Sequence, residues 1–379
     1  MSMHEKDRGQ EGFSLGSPEL RSVGPVAFTP DGVLFVADNV QAEILAFDLS
    51  SDDRKTGVVE IDGLDERLAA FLGCAVDDVH VRDLAVHPLS RALYLSVMRG
   101  AGESAVPLVI RVGDGGELSQ SVAEDVRYAR MRIDDAPAAD DEREEASVTA
   151  DSDPAGEWMD VPQVGITLRI TRASLRGTTV TDLAFVNGEL LVAGASNEEF
   201  VSTLRRIPFP FRGEAQASSL EIFHVSHGAY ETHSPIRAFV PYGGGTGIVA
   251  SYTCTPLVHF PLSDLTGQGT RAVGRTVADL GAASSPLDIV SFTQGGDEYL
   301  LVSNARLPLM KIACKDIDAQ EALTEPRESP ELLREPAGVP LRGLPHEGVS
   351  RMAVTDGHVL MLQRDDSGLH LRAHSTASP

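Results

Sequence analysis

A triplet of short apolar runs recurs six times, in one fixed order, along the 379 residues. Runs of the first kind read GPVAF (24–28), RDLAV (82–86), TDLAF (181–185), SPIRAF (234–239), SPLDIV (285–290) and SRMAV (350–354). A turn rich in Gly, Pro, Asn or Asp follows each. The second runs are VLFVAD (33–38), ALYLSVM (92–98), ELLVAGA (189–195), GIVASYT (247–253), YLLVSNA (299–305) and HVLMLQR (358–364). The third are EILAFDL (43–49), PLVIRV (107–112), TLRRIPF (203–209), PLVHFPL (256–262), LMKIAC (309–314) and LHLRAH (369–374). Short β-branched and apolar runs separated by turn formers are strands joined by hairpins. Such a meander cannot bury both faces alone, so the copies must stack on one another.

Fourth strands are visible in VVEIDG (58–63), SLEIFHV (219–225) and RTVADLG (275–281). The pattern predicts an all-β fold, a six-bladed β-propeller of four-stranded antiparallel blades. The last copy ends at 374 without an outer strand. Residues 12–22 are expected to supply it, so that an N-terminal strand in the last blade closes the ring and removes an open edge. A divergent copy within 113–176 would raise the count to seven. The competing architecture, a pair of β-sandwiches, gives no reason for one ordered triplet to recur six times. The propeller is expected to be a single domain over 12–376, preceded by a disordered stretch, 1–11. Helical spacing marks 64–74, an acidic Ala/Ser-rich stretch at 134–157 reads as a mobile insertion, and the Pro/Glu-rich 316–342 is expected to wrap outside blades five and six.

The first copy, GPVAFTPDGVLFVADNVQAEILAFD (24–48), resembles a blade of the NHL, SMP-30/gluconolactonase and strictosidine-synthase-like six-bladed propellers. That resemblance implies either a non-catalytic interaction propeller or a metal-dependent lactonase or esterase. Asp38, ending LFVAD, matches the position of a family metal ligand. The family's Glu before Gly-Pro is replaced here by Val23, and its later Asn-Gly has no counterpart.

Composition removes several function classes. A net charge of −24 disfavours nucleic acid and anionic membrane as partners. No run of about 18 apolar residues is present. The start, MSMHEKDRGQEGF, lacks the apolar stretch of a secretory signal, so the chain as given reads as cytoplasmic; a trimmed secreted form would have the same composition. The three cysteines form no CxxC or CxxCH spacing, which argues against haem, and one tryptophan cannot supply the stacked indoles of PQQ propellers. No Gly-rich phosphate cradle points to a nucleotide cofactor. Calcium, zinc and copper remain as metals these side chains suit. The partner expected is a small molecule or peptide, and oligomeric state is left open.

In a propeller, the connections into the inner strands and those from second to third strands open on one face. Polar residues there converge on the channel mouth. This rule nominates Asn39, Arg82, Arg99, Asn197, Tyr252, Asn304 and Arg351 as ligand-binding residues. Asp38, Asp83, Asp182 and Glu198 are candidate oxygen ligands for a metal ion. Candidate catalytic groups are Asp83 and Asp182 as an acid/base pair, and His233 beside Cys254 as a thiolate or soft-metal pair. Inner-strand aspartates also cap turns and join blades, and a buried cysteine is often inert. Two function classes follow: a binding propeller with a polar central pocket, or a lactonase-type metal-dependent hydrolase.

Overall fold

The computed structural model describes residues 12–379 apart from 123, 152, 154, 268, 270 and 283. The disordered stretch expected at 1–11 lies outside the described residues. Each of the six triplets forms an antiparallel meander in the predicted register: Val26–Phe28, Val33–Asp38 and Glu43–Asp48 make blade one, and Val79–Val86, Leu93–Arg99 and Val106–Val112 blade two. The inner strands of blades three to six are Asp182–Val186, Ile236–Tyr242, Pro286–Gln294 and Val349–Thr355.

The ring closes, but not in chain order. Inner-strand contacts run from blade two to one, three, four, five, six and back to two. Six separate hydrophobic clusters fill those six seams. Phe35 and Ile44 meet Val192 and Leu190 between blades one and three, for example, and Leu95 and Ile110 meet Leu362 and Leu371 between two and six. Each seam buries apolar area that one blade alone would expose, worth roughly 25 cal/mol per Å².

Blades one and two exchange places because blade two is nested in the chain between the third and fourth strands of blade one. The fourth strand of blade one is Val126–Arg132, which pairs Glu43–Asp48. Four expectations are corrected here. The N-terminal strand Ser14–Gly16 does not complete the last blade; it pairs Val126–Arg132 on the outer edge of blade one. VVEIDG is not the fourth strand of blade one. Its Ile61 bridges Leu371, and the helix Leu64–Leu72 seats Leu64 and Leu68 in the same seam, so this segment covers the edge of blade six. Among the described residues no seventh blade arises from 113–176, whose strands join blades one and two or leave the ring altogether. The segment 316–342 spans blades four and five, where Ala337–Gly338 pairs Arg275–Asp279 and Arg342–Gly343 pairs Met310–Ala313.

Part of the acidic stretch read as a mobile insertion is a strand. Glu144–Val148, Ile166–Ser174 and Glu157–Val161 form a separate three-stranded antiparallel sheet, the cap. Side chains alternate across a strand with period two, which turns Ala146, Val148, Met159, Val161, Leu168 and Ile170 to one side, lining a cavity against blade four. The cap is tied down by the ion pair Arg306–Asp151 (3.1 Å) and by Ser285, whose hydroxyl donates to the Val148 carbonyl at 3.0 Å.

Candidate functional site

The mouth of the ring is a chamber of about 230 Å³ built mainly from two residue columns of the inner strands. One column runs Pro25, Asp83, Asp182, Ala238, Asp288 and Arg351; the residues just before these include Arg82, Thr181, Arg237 and Leu287. Blades two, four, five and six each carry a register shift at this level, leaving Arg82, Arg237, Leu287 and Ser350 unpaired in the ladder. A bulge of this kind kinks the strand and re-aims its side chains. Asp83, Asp288, Arg82, Arg237 and Arg351 reach the opening at these bulges, and Asp182 joins them from the regular start of the blade-three inner strand.

The aspartates first serve as clamps. The Val26 N–H donates to Asp83 Oδ2 at 2.8 Å, the Phe239 N–H to Asp182 Oδ2 at 2.7 Å, and the Met352 N–H to Asp288 Oδ2 at 2.6 Å. Each donor belongs to the next blade round the ring, so aspartates on blades two, three and five hold blades one, four and six. This alternation exists only in the observed blade order.

Crowding these carboxyls away from water shifts them strongly. Burial raises Asp182 well above the usual carboxylate range, and the Asp288 and Asp83 charges add to the effect. Burial likewise brings Asp288 up to about 7, opposed by the Arg351 guanidinium and reinforced by Asp83. Asp83 is raised by burial and moderated by Arg351, whose Nε stands 3.7 Å away. Arg237 is brought down to about 10 by burial and by the Arg351 charge.

The arginines differ in commitment. Arg351 donates to the carbonyls of Arg82 (2.9 Å) and Leu287 (2.8 Å). Arg237 donates to the cap residue Ser147 at 3.3 Å and lies in the field of Glu145, which burial raises despite hydrogen bonds from Ser234 and Thr253. The side chain of Arg82 makes no hydrogen bond or ion pair among the described residues. Ala173, Gly177 and Thr178, where the cap returns to blade three, complete the wall. Asn39 fixes that return, donating to the Gly177 carbonyl (2.7 Å) and the Val180 carbonyl (2.9 Å) and accepting from the Val180 N–H at 2.9 Å.

The mouth therefore gathers Asn39, Arg82, Asp83, Asp182 and Arg351 of the sequence-nominated residues. Others lie elsewhere. Asp38 is fully buried and accepts from Arg21 and Ser22, ahead of the first inner strand, and from Gln41 in its own loop. Glu198 borders a separate flank cavity of about 780 Å³ between blades one and three. Asn197 donates its N–H to Asp135 beside that flank, and Arg99 donates to the Leu72 carbonyl at the end of the helix. Tyr252 packs in the seam between blades three and four. Asn304 is consumed by its own loop, accepting from Ser285, Arg306 and Leu307 and donating to Ser284. Cys254 groups with His224 and His227 rather than with the exposed His233, and burial pushes its thiol up to about 12. It is not a thiolate near neutral pH.

Sequence reasoning missed Arg237 and Asp288, although SPIRAF and SPLDIV are among the repeated runs. Aligning the inner strands as one column, instead of reading only their leading polar residues, exposes both.

No protein-family model and no curated protein matches the chain. Among solved structures it is similar to a streptogramin B lyase at 10% identity and TM-score 0.38, covering 97% of this chain and 99% of that one. It is also similar to hydrazine synthase from Kuenenia stuttgartiensis (13% identity, TM-score 0.40, 96% and 98% covered). A third is virginiamycin B lyase from Staphylococcus aureus (9% identity, TM-score 0.37, 95% and 98% covered). At these identities and scores the likenesses carry no inference about the chemistry of the mouth.

Proposed function

We propose that the chain is a binding propeller that holds a small anion at its capped mouth, between Arg82, Arg237 and Arg351. One observation carries this reading: three guanidiniums converge on a chamber whose carboxyls are held high by burial. Near neutral pH Asp288, at about 7, is about half protonated, and burial favours the neutral form of Asp182 as well. The arginines then outweigh the remaining carboxylate charge, leaving a positive mouth on a chain of net charge −24. Arg82, uncommitted among the described residues, offers a planar fork suited to a carboxylate or tetrahedral oxyanion. A volume of about 230 Å³ equals roughly eight liquid waters at ~30 Å³ each, which suits a small acid better than a peptide.

Calorimetric titration with sulfate at low ionic strength tests the reading, since sulfate keeps its charge from acid to alkaline pH. A charge-assisted contact is worth about 1.5–3 kcal/mol, so Arg82→Ala is expected to weaken binding roughly 10- to 100-fold. A wild-type chain indifferent to sulfate, phosphate and small dicarboxylates, or an Arg82→Ala/Arg237→Ala chain that binds them unchanged, would end it. The hydrolase alternative draws no support from the geometry, since Asp38 and Glu198 stand apart from Asp83 and Asp182, which are occupied as clamps.

A further inference from the structure

The segment HVSHGAYETH (224–233) carries a second site, away from the mouth. We propose that His224, His227 and Cys254 bind one transition-metal ion of the zinc–copper class, with an open coordination position facing the chamber beneath the cap. One ring nitrogen of each histidine and the Cys254 sulfur lie within 4.8 Å of one another, the one such group of three or more His, Cys, Asp or Glu among the described residues. Tetrahedral bonds of about 2.0–2.3 Å require donors roughly 3.3–3.8 Å apart, so side-chain rotations of about an ångström close the site.

Topology brings the three together. His224 ends the outer strand Gln216–His224 of blade three, and His227 lies in the turn that follows. Cys254 belongs to the connection between Gly247–Tyr252 and Pro256–Pro261 in the adjoining blade four. The imidazoles are tilted at 45° to each other, with ring centroids 3.8 Å apart.

Glu231 supplies an independent sign of a prepared site. Its Oε2 accepts from His224 Nδ1 at 2.9 Å and its Oε1 from His227 Nδ1 at 2.5 Å. A single carboxylate thus holds both rings with Nδ1 protonated, which leaves Nε2 of each as the metal-binding nitrogen. Carboxylate–histidine pairs orient and strengthen metal-bound imidazoles in this manner. His224 Nε2 now rests 3.2 Å from the Thr255 hydroxyl, which donates to Asp279 at 2.8 Å, so an ion would replace one weak contact and leave that hydroxyl partnered.

The donor set of two imidazoles and one thiolate suits zinc or copper rather than calcium or magnesium. The Cys254 thiol gives up its proton to solvent as the metal–sulfur bond forms. Three protein ligands leave the fourth position open, the arrangement of metals that bind a ligand rather than of closed structural sites. His227 and Cys254 both border the chamber of about 570 Å³, whose far wall is Val148, Met159, Leu168 and Ile170 of the cap.

The test uses the full chain, stripped with a chelator and reloaded separately with Zn(II), Cu(I) and Co(II). One zinc or copper ion per chain is expected to survive dialysis, and the Co(II) form should show thiolate-to-cobalt charge-transfer absorption with tetrahedral visible bands. Cys254→Ser removes the charge-transfer band; His227→Ala lowers affinity tenfold or more; Glu231→Gln lowers it about 10- to 100-fold. His233→Ala, outside the cluster, changes neither. Retention of no zinc and no copper, or unaltered stoichiometry and spectrum in the Cys254 and His227 variants, would overturn the proposal. Where a variant does not fold, protection of Cys254 from a thiol reagent by the ion in the wild-type chain decides the same question, and equal labelling with and without metal counts against it.

Discussion

Replacing Asp288 by asparagine probes the electrostatics on which the mouth depends. Burial, with the Asp83 charge, brings the folded carboxyl up to about 7, against about 3.9 for an aspartate in an unfolded chain. Between those values the folded chain keeps a proton that the unfolded chain has released. The associated stability is fully present below about pH 4, declines as the pH rises, and is exhausted above about pH 7. From pH 5 to pH 7 that decline spans two units, or about 3 kcal/mol at ~1.4 kcal/mol per unit. The substituted side chain has no proton to lose and keeps an oxygen to accept the Met352 N–H. The stability of Asp288→Asn relative to wild type should therefore rise by about 3 kcal/mol between pH 5 and pH 8. With an unfolding entropy of ~2.1 cal/mol/K per residue, 379 residues give ~0.8 kcal/mol/K, so the gain corresponds to about 4 °C in Tm. Scanning calorimetry and denaturant titration of both chains at pH 5, 6, 7 and 8 measure it. Parallel pH profiles, or a variant that loses ground as the pH rises, would show that Asp288 is ionised throughout and that the positive mouth is misread.

Two further perturbations address the frame. Burial alone would raise Asp52, yet hydrogen bonds from Arg111, Tyr94 and Arg54 hold it far below the usual carboxylate range. Its stabilising contribution is present above about pH 4 and lost as the pH falls further. Asp52→Asn strands the buried Arg111 guanidinium, 2.8 Å from that carboxyl, so urea unfolding at pH 7 should register a loss of about 3–5 kcal/mol that narrows toward pH 3. Ile61, 1% exposed, plugs the seam between blades two and six; Ile61→Ala should cost about 2–4 kcal/mol. Val58, 49% exposed on the same segment, should tolerate alanine with no measurable change in the unfolding midpoint, and equal effects at the two positions would refute the seam assignment.

Much of the strand layout was legible because it is written locally. Alternation such as VLFVAD and turns such as TPDG fix where a strand runs and which way its side chains face. The cap was not read from the sequence, although Ile166, Leu168 and Ile170 alternate as a strand requires; the carboxylates around Ala146 and Val148 make that stretch resemble a spacer. Asp83 and Asp182 were found from their place in the repeat, whereas Asp288 and Arg237 became visible only when the inner strands were aligned as a column of the ring.

Which edge meets which strand was not written in any segment. An open strand edge offers the same N–H and C=O groups to every candidate, so backbone pairing alone does not choose among them. The choice falls to the side chains that fill the seam: Ile61, Leu64 and Leu68 pack against Leu371 of blade six, and Ser14–Gly16 goes to blade one instead. The same choice of neighbours carries the site chemistry. It sets Asp83, Asp182 and Asp288 on alternate blades, and it delivers Cys254 to His224 and His227, thirty and twenty-seven residues earlier in the chain. Sequence determined the strands and their faces through local pattern; packing between distant segments determined the order of the ring and the company each charged or metal-binding side chain keeps.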